Sequence, residues 1–98
     1  MAYKSESYIE RRVCEYAVSR SCVNFKFSSS SRKGVPDRIF LYKGSVMFIE
    51  FKRNDKKPTK LQEYTHCIIR DHGIDVHVID NVLSGKECID EFINSVSN

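Results

Sequence analysis

Two carboxylates and one amine stand out as residues that could do chemistry together. Asp37 follows Pro36, while Glu50 and Lys52 lie two positions apart in the next segment. Mg²⁺ prefers oxygen ligands and often uses one or two protein carboxylates together with water and substrate phosphate. A lysine ammonium beside such an ion can orient a water or stabilise charge on a phosphate. These residue types therefore indicate metal-assisted hydrolysis of a phosphodiester.

A β-hairpin is predicted to bring these side chains together. Segments 37–43 and 46–52 read as strands, and the Lys-Gly-Ser sequence at 43–45 is a typical hairpin turn. Side chains alternate along a strand, so Glu50 and Lys52 share one face. The hairpin is thus expected to carry the chemistry.

The register of the hairpin is open at this point. A turn at 43–44 places Asp37 opposite Glu50, whereas a turn at 44–45 places Asp37 opposite Lys52. Both registers put the three side chains in one patch, with opposed Cβ atoms roughly 5 Å apart. Two carboxylates at that separation repel each other unless a positive charge lies between them.

The simpler alternative is a solvated edge hairpin with no function. An aspartate after Pro36 is ordinary turn chemistry. Glu50 is less ordinary because five apolar residues surround it in the segment 46–51, and a lone acid in so apolar a strand usually has a partner.

The charge distribution favours a partner that carries phosphate. The net charge is only +3, but residues 24–60 contain ten basic and three acidic residues, while residues 61–98 contain two basic and seven acidic ones. A basic segment of this kind suits a phosphate-bearing partner, and the alternative is a solvated face that binds nothing specific. The basic residues predicted to bind DNA are Lys26, Arg38, Arg53, Lys56, Lys57 and Lys60.

The elements predicted around the hairpin form a single α/β domain over residues 1–98. Helices are expected at 5–20, 60–72 and 85–96, and further strands at 24–28 and 74–79. The order is α-β-β-β-α-β-α, which indicates a mixed β-sheet flanked by helices. In the second helix, Leu61, Tyr64 and Ile68 are expected in the core, and the histidines are expected to be packed or on the surface.

The central motifs resemble a known nuclease family. Residues 34–38 read Gly-Val-Pro-Asp-Arg and residues 48–53 read Phe-Ile-Glu-Phe-Lys-Arg. They resemble the PD-(D/E)XK signature and, more narrowly, the VRR-NUC group of that superfamily. The ordered set also includes a glutamate in the first helix (Glu10, or alternatively Glu6), the Lys26-Phe27 strand and Gln62. The resemblance covers about Glu6 to Asp80.

The resemblance implies a restriction-endonuclease-like fold and structure-selective cleavage of DNA with Mg²⁺ or Mn²⁺. The implied metal ligands are Asp37, Glu50 and Glu10, and the implied catalytic set adds Lys52 and Gln62. In small stand-alone members it also implies a homodimer that resolves four-way (Holliday) junctions in branched DNA.

Two of these residues have a purely structural alternative. Glu10 could belong to a capping box with Ser7, and Gln62 to a capping box with Thr59; neither box needs a metal. Both alternatives stay open here.

Competing functions are also open. A nuclease-like fold that only binds nucleic acid needs basic residues but no carboxylate pair, and a protein-interaction domain whose charged halves pair between subunits predicts salt-sensitive self-association. The sequence shows no apolar leader and no membrane-spanning run, so a cytoplasmic protein is expected, in a host cell if virus-encoded. Its four cysteines lack the spacing of a zinc site and are expected to be reduced.

Overall fold

Seven elements follow one another in the order α-β-β-β-α-β-α in a computed structural model, which describes residues 4–96. Residues 1–3 and 97–98 of the predicted domain lie outside this range. Within residues 4–96, no helix is long and apolar enough to cross a membrane. The elements are α1 (Glu6–Ser19), β1 (Val23–Lys26), β2 (Arg38–Tyr42), β3 (Ser45–Phe51), α2 (Lys60–Asp71), β4 (Asp75–Ile79) and α3 (Val82–Val96).

The four strands form one mixed sheet in the order β1-β2-β3-β4. The first two pairings are antiparallel, and β3 pairs with β4 in parallel. A parallel pair needs a crossover connection, which is made here by α2. The predicted order of elements and the mixed sheet are confirmed.

The hairpin turn selects one of the two registers left open by the sequence. Tyr42 pairs with Ser45, so Lys43 and Gly44 form the turn. Both turn residues have positive φ, 45° and 85°, as a type I′ hairpin turn requires. The ladder runs back to the pair of Arg38 and Ile49, and one further step places Asp37 opposite Glu50.

The core lies on one face of the sheet, beneath α1 and α3. Ile9, Val13 and Ala17 form the buried stripe of α1. They pack against inward-facing residues of the central strands, such as Phe40 and Ile49. Glu50 alternates with Ile49 along β3, so it points to the opposite face of the sheet, where α2 packs.

Some predicted boundaries are wrong. The strand predicted at 24–28 ends at Lys26 because its partner strand begins only at Arg38. The helix predicted from residue 85 begins at Val82, because the Asn81 side chain accepts a hydrogen bond from the Ser84 N–H at 2.8 Å and caps it.

The orientation predicted for α2 is also wrong. Leu61 is 50% exposed and Tyr64 is 64% exposed, so neither is a core residue, and Ile68 is only half-buried. The buried face of α2 instead carries Thr65 and His66. The helix is therefore rotated so that polar side chains, rather than apolar ones, meet the sheet below Glu50.

Candidate active site

Glu50 is a buried carboxylate surrounded by polar side chains from two elements. It is 2% exposed. Its Oε2 accepts a hydrogen bond from Nε2 of Gln62 at 3.0 Å and lies 3.6 Å from Nζ of Lys52. Its Oε1 has no hydrogen-bond partner within residues 4–96. One oxygen of Glu50 is thus held by the protein, while the other is left without a donor.

The electrostatics of Glu50 reflect this burial. Burial and, to a smaller extent, the charge of Asp37 together raise the pKa of Glu50 from 4.5 to about 7, although Lys52 opposes both effects. A carboxylate with such a pKa is only partly ionised at neutral pH. A cation placed beside it would favour the ionised form.

Asp37 directly precedes β2, at the end of the hairpin away from its turn, and two hydrogen bonds hold it there. Its Oδ2 accepts a hydrogen bond from the backbone N–H of Phe51 at 2.8 Å, which ties it to β3. Its own carbonyl accepts from the Phe27 N–H at 2.8 Å. The pKa of Asp37 is raised, mainly by burial; the bond from Phe51 lowers it and the charge of Glu10 raises it.

The loop that leads into Asp37 is fastened to α2. Thr65 Oγ1 donates to the carbonyl of Lys33 at 3.1 Å. Gly34 has φ of 85°, and a Cβ at this position would lie 2.9 Å from the carbonyl oxygen of Leu61. Only glycine suits both the backbone conformation and the close approach. The glycine of the Gly-Val-Pro-Asp-Arg motif therefore allows the loop before Asp37 to lie close to α2.

Lys52 directly follows β3, and its side chain lies beside the carboxylate of Glu50. Its backbone N–H donates to the carbonyl of Ile79 at 2.9 Å, which holds the residue in the sheet beyond the last residue of β3. Its side chain is only 14% exposed. The amine is thus fixed beside Glu50 instead of extending into solvent.

Gln62 has both roles that the sequence left open. Thr59 Oγ1 accepts from the Gln62 N–H at 3.1 Å, and Gln62 Oε1 accepts from the Thr59 N–H at 2.9 Å, which completes a capping box. The amide nitrogen of the same side chain donates to Glu50. The start of α2 and the carboxylate are therefore joined through one residue.

The two glutamates of α1 have different surroundings. Glu10 does not belong to a capping box with Ser7, because the N-cap of α1 is Ser5. Its Oε2 instead accepts from Nε of Arg38 at 2.6 Å and from Nζ of Lys26 at 3.2 Å. Burial raises the pKa of Glu6, and the charge of Asp37 raises it further. Glu6 also contributes to the raised pKa of Glu50.

The residues predicted to bind DNA fall into two groups. Lys26 and Arg38 pair with Glu10, and Arg53 pairs with Asp55 at 2.6 Å between Nε and Oδ1. The remaining lysines are exposed, in the loop after β3 and at the start of α2: Lys56, Lys57 and Lys60.

His66 is a residue of the site that sequence reasoning missed. It is 1% exposed, and its Nε2 lies 3.8 Å from Oε1 of Glu50. Burial lowers its pKa, so its neutral form is favoured. The available signal was its spacing of four from Gln62, which places both side chains on the same face of α2.

The donor set suits a hard divalent cation. Asp37 lies opposite Glu50, one step beyond the pair of Arg38 and Ile49, and no donor within residues 4–96 bonds the buried Oε1 of Glu50. Within residues 4–96, no group of three or more His, Cys, Asp or Glu side chains is arranged to hold a metal ion. Mg²⁺ often binds through only one or two carboxylates and fills its other positions with water and phosphate, so a two-carboxylate site is compatible with this finding.

Comparisons with known proteins find a phage relative and a solved structure that are similar to this chain. The chain is 34% identical over 77 residues to "Putative nuclease p44" of Acyrthosiphon pisum secondary endosymbiont phage 1, and the match covers 78% of this chain and 83% of the relative. A solved structure described as "VRR_NUC domain" superposes with a TM-score of 0.81 at 25% identity, covering 89% of this chain and 96% of the other. No protein-family model matches the chain.

Proposed function

Because the chain belongs to the VRR-NUC family of nucleases, we propose that it is a metal-dependent endonuclease that hydrolyses phosphodiester bonds in DNA. The observation that carries the proposal is the facing pair of Asp37 and Glu50 beside the shielded amine of Lys52. A module that only binds nucleic acid does not require a buried and a half-buried carboxylate that both have raised pKa values.

Mg²⁺ or Mn²⁺ is the proposed cofactor, with Asp37 and Glu50 as its ligands. Oxygen donors favour hard cations, and the unpaired Oε1 of Glu50 is the oxygen available to one. When bound, the cation supplies charge stabilisation at the phosphate and activates water for attack.

The protein side chains supply the remaining chemistry. Lys52 stabilises the negative charge that develops on the phosphate, which its position beside Glu50 and its low exposure support. Gln62 holds Glu50 through Oε2, so the other oxygen keeps its orientation. Asp37 is kept in place by the Phe51 N–H.

Glu6, rather than Glu10, is the α1 carboxylate proposed to move toward a cation held by Asp37 and Glu50; without a cation, residues 4–96 present no three-carboxylate group arranged to hold one. Glu10 already neutralises Arg38 and Lys26 through one oxygen. Glu6 interacts electrostatically with both Asp37 and Glu50: the charge of Asp37 raises the pKa of Glu6, and the charge of Glu6 raises the pKa of Glu50. Bringing a third negative charge toward the pair is costly without a cation and favourable with one.

The proposed substrate is branched DNA, and the proposed active form is a homodimer. The exposed lysines 56, 57 and 60 lie on the α2 side of the site and can follow a phosphate backbone. One chain carries one such site, so cutting both strands of a four-way junction requires two copies related by a two-fold axis. Sedimentation that shows only monomer at assay concentrations would contradict the dimer. DNA as the substrate implies action inside a cell, the host cell if the protein is virus-encoded.

A cleavage assay tests the function. Purified protein is incubated with four-way-junction and linear DNA in Mg²⁺, Mn²⁺ or EDTA, beside Asp37→Asn, Lys52→Ala and the distant control Lys86→Ala. We expect cleavage in either metal, none in EDTA, and a loss of at least about 100-fold in the two site variants but not in the control. Binding without cleavage in every metal would instead support a non-catalytic nucleic-acid-binding module.

A further inference from the structure

The contact between His66 and Glu50 is incomplete in an unusual way. Nε2 of His66 and Oε1 of Glu50 face each other at 3.8 Å, and neither has a hydrogen-bond partner within residues 4–96. Both residues are at least 98% buried, so solvent does not replace the missing bonds. Buried polar atoms without hydrogen-bond partners are rare and destabilising. When two of them face each other, one hydrogen bond between them would satisfy both.

We propose that His66 is a positioning residue for Glu50, donating from Nε2–H to Oε1 when Glu50 holds a divalent cation. This inference rests on the proposed function, because it gives His66 a role at a proposed metal ligand. Closing the separation from 3.8 Å to the ~2.9 Å of an N–H···O bond requires a shift of about 1 Å.

The arrangement of donors around Glu50 supports this role. Gln62 donates a hydrogen bond to Oε2 of Glu50, and the Lys52 amine lies beside the same oxygen. An ionised carboxylate is best stabilised when both of its oxygens accept hydrogen bonds, but Oε1 accepts none from residues 4–96. The neutral imidazole favoured by burial carries one N–H, and Oε1 has two lone pairs, so it can accept from His66 and still face the cation. Carboxylates that bind metals are themselves held by hydrogen bonds from outer residues.

Two substitutions separate a specific hydrogen bond from general packing. His66→Gln keeps an amide N–H at about the position of Nε2, while His66→Leu keeps the volume but removes the donor. His72→Leu is the matched control, because His72 is exposed at the other end of the same helix. Melting temperatures of all three confirm that the variants are folded before metal binding is compared.

Calorimetric titration with Mg²⁺ and nitrogen-15 NMR of the histidine ring test the proposal. We expect His66→Leu to bind Mg²⁺ roughly 10-fold more weakly, with His66→Gln and His72→Leu close to the wild type. In the wild type, Mg²⁺ should shift the Nε2–H resonance of His66 and leave His72 unchanged.

The results that would overturn the inference are distinct from those that would overturn the function. If the wild type binds Mg²⁺ but His66→Leu binds it equally well, or if His66→Gln is no better than His66→Leu, the role of His66 is refuted alone. If the wild type binds Mg²⁺ but the Nε2–H resonance of His66 does not shift, the role of His66 is likewise refuted alone. A wild type that binds neither Mg²⁺ nor Mn²⁺ refutes the metal-dependent function and this inference together.

Discussion

The side chain of Gln62 links the first turn of α2 to the carboxylate of Glu50. Its Nε2 donates to Glu50 Oε2 at 3.0 Å while its Oε1 accepts from the Thr59 N–H at 2.9 Å. A single amide therefore completes a helix cap and orients a proposed metal ligand. Because α2 is also the crossover between β3 and β4, the position of Glu50 depends on how this helix begins.

The first prediction separates the two tasks of Gln62. Thr59→Ala removes the cap but leaves the amide free to reach Glu50, so we expect a loss of about 1 kcal/mol in the free energy of unfolding and little change in cleavage per folded molecule. Gln62→Leu removes both contacts, so we expect a similar loss of stability and a clear fall in cleavage. Denaturant melts and initial cleavage rates measure the two effects. Equal cleavage by the two variants would contradict a role for the amide at Glu50.

The second prediction concerns the pH dependence of stability without metal. The pKa of Glu50 is about 7 in the folded protein and 4.5 ordinarily, so the fold retains a proton that the unfolded chain loses as the pH rises between these values. The contribution of Glu50 to stability is therefore present below pH 4.5 and is lost as the pH rises through 7.

Glu50→Gln should remove this loss. In EDTA, we expect the variant and the wild type to melt at similar temperatures near pH 4.5, and the variant to melt roughly 10–15 °C higher at pH 8. Glu91→Gln, an exposed glutamate of α3, is the control and should show no such trend. A difference between Glu50→Gln and wild type that does not grow with pH would contradict the raised pKa.

Much of this site follows from local rules, because the hairpin motif is compact. Strand alternation alone predicted that Glu50 and Lys52 share one face. The sequence left two hairpin registers open, and the positive φ values of Lys43 and Gly44 in the structure select one of them. Sequence could not supply the rotation of α2. Hydrophobicity predicted Leu61 and Tyr64 inside, but the polar contacts of Gln62 and Thr65 with the sheet and loop turn the helix the other way.

The partners of Glu10 show a second limit of sequence reasoning. The bonds to Lys26 and Arg38 join α1, β1 and β2, and depend on how three elements pack. No local spacing encodes such a contact, so the residues alone left a capping role with Ser7 open, and only the family resemblance favoured a metal role.

The third prediction compares the two glutamates of α1. Since Glu6 is the one proposed to face the ion, Glu6→Gln should weaken Mg²⁺ binding in calorimetry by roughly 10-fold. Glu10→Gln should change Mg²⁺ affinity much less, because its charge is already balanced by two cations. The reverse order of affinities would assign the ligand role to Glu10.

The fourth prediction concerns the exposed lysines. Lys57→Ala in an Asp37→Asn background should weaken DNA binding several-fold and lower the slope of log affinity against log salt by about 1, whatever the DNA sequence. Lys86→Ala on α3 should change neither quantity. Fluorescence anisotropy across a salt series measures both. An unchanged slope for Lys57→Ala would place its ammonium away from the DNA backbone.

The fifth prediction uses three glycines that share one backbone conformation. Gly34, Gly44 and Gly73 all have φ of 85°, but only Gly34 has neighbours close to where a Cβ would lie: the Leu61 carbonyl oxygen and Thr65 Oγ1, both at 2.9 Å. Gly73→Ala should therefore lose only the roughly 1 kcal/mol of left-handed strain. Gly34→Ala adds steric overlap with a helix backbone that cannot move freely, so we expect a loss of roughly 2–4 kcal/mol.

The two alanine variants should differ in activity as well as in stability. Relief of the overlap at Gly34 moves the loop away from α2, and Asp37 moves with it relative to Glu50. We therefore expect Gly34→Ala to cleave DNA and bind Mg²⁺ more weakly at temperatures where it remains folded, while Gly73→Ala retains both. Because both variants carry the same backbone strain, equal stability and equal activity would show that the approach of Gly34 to α2 does not position Asp37.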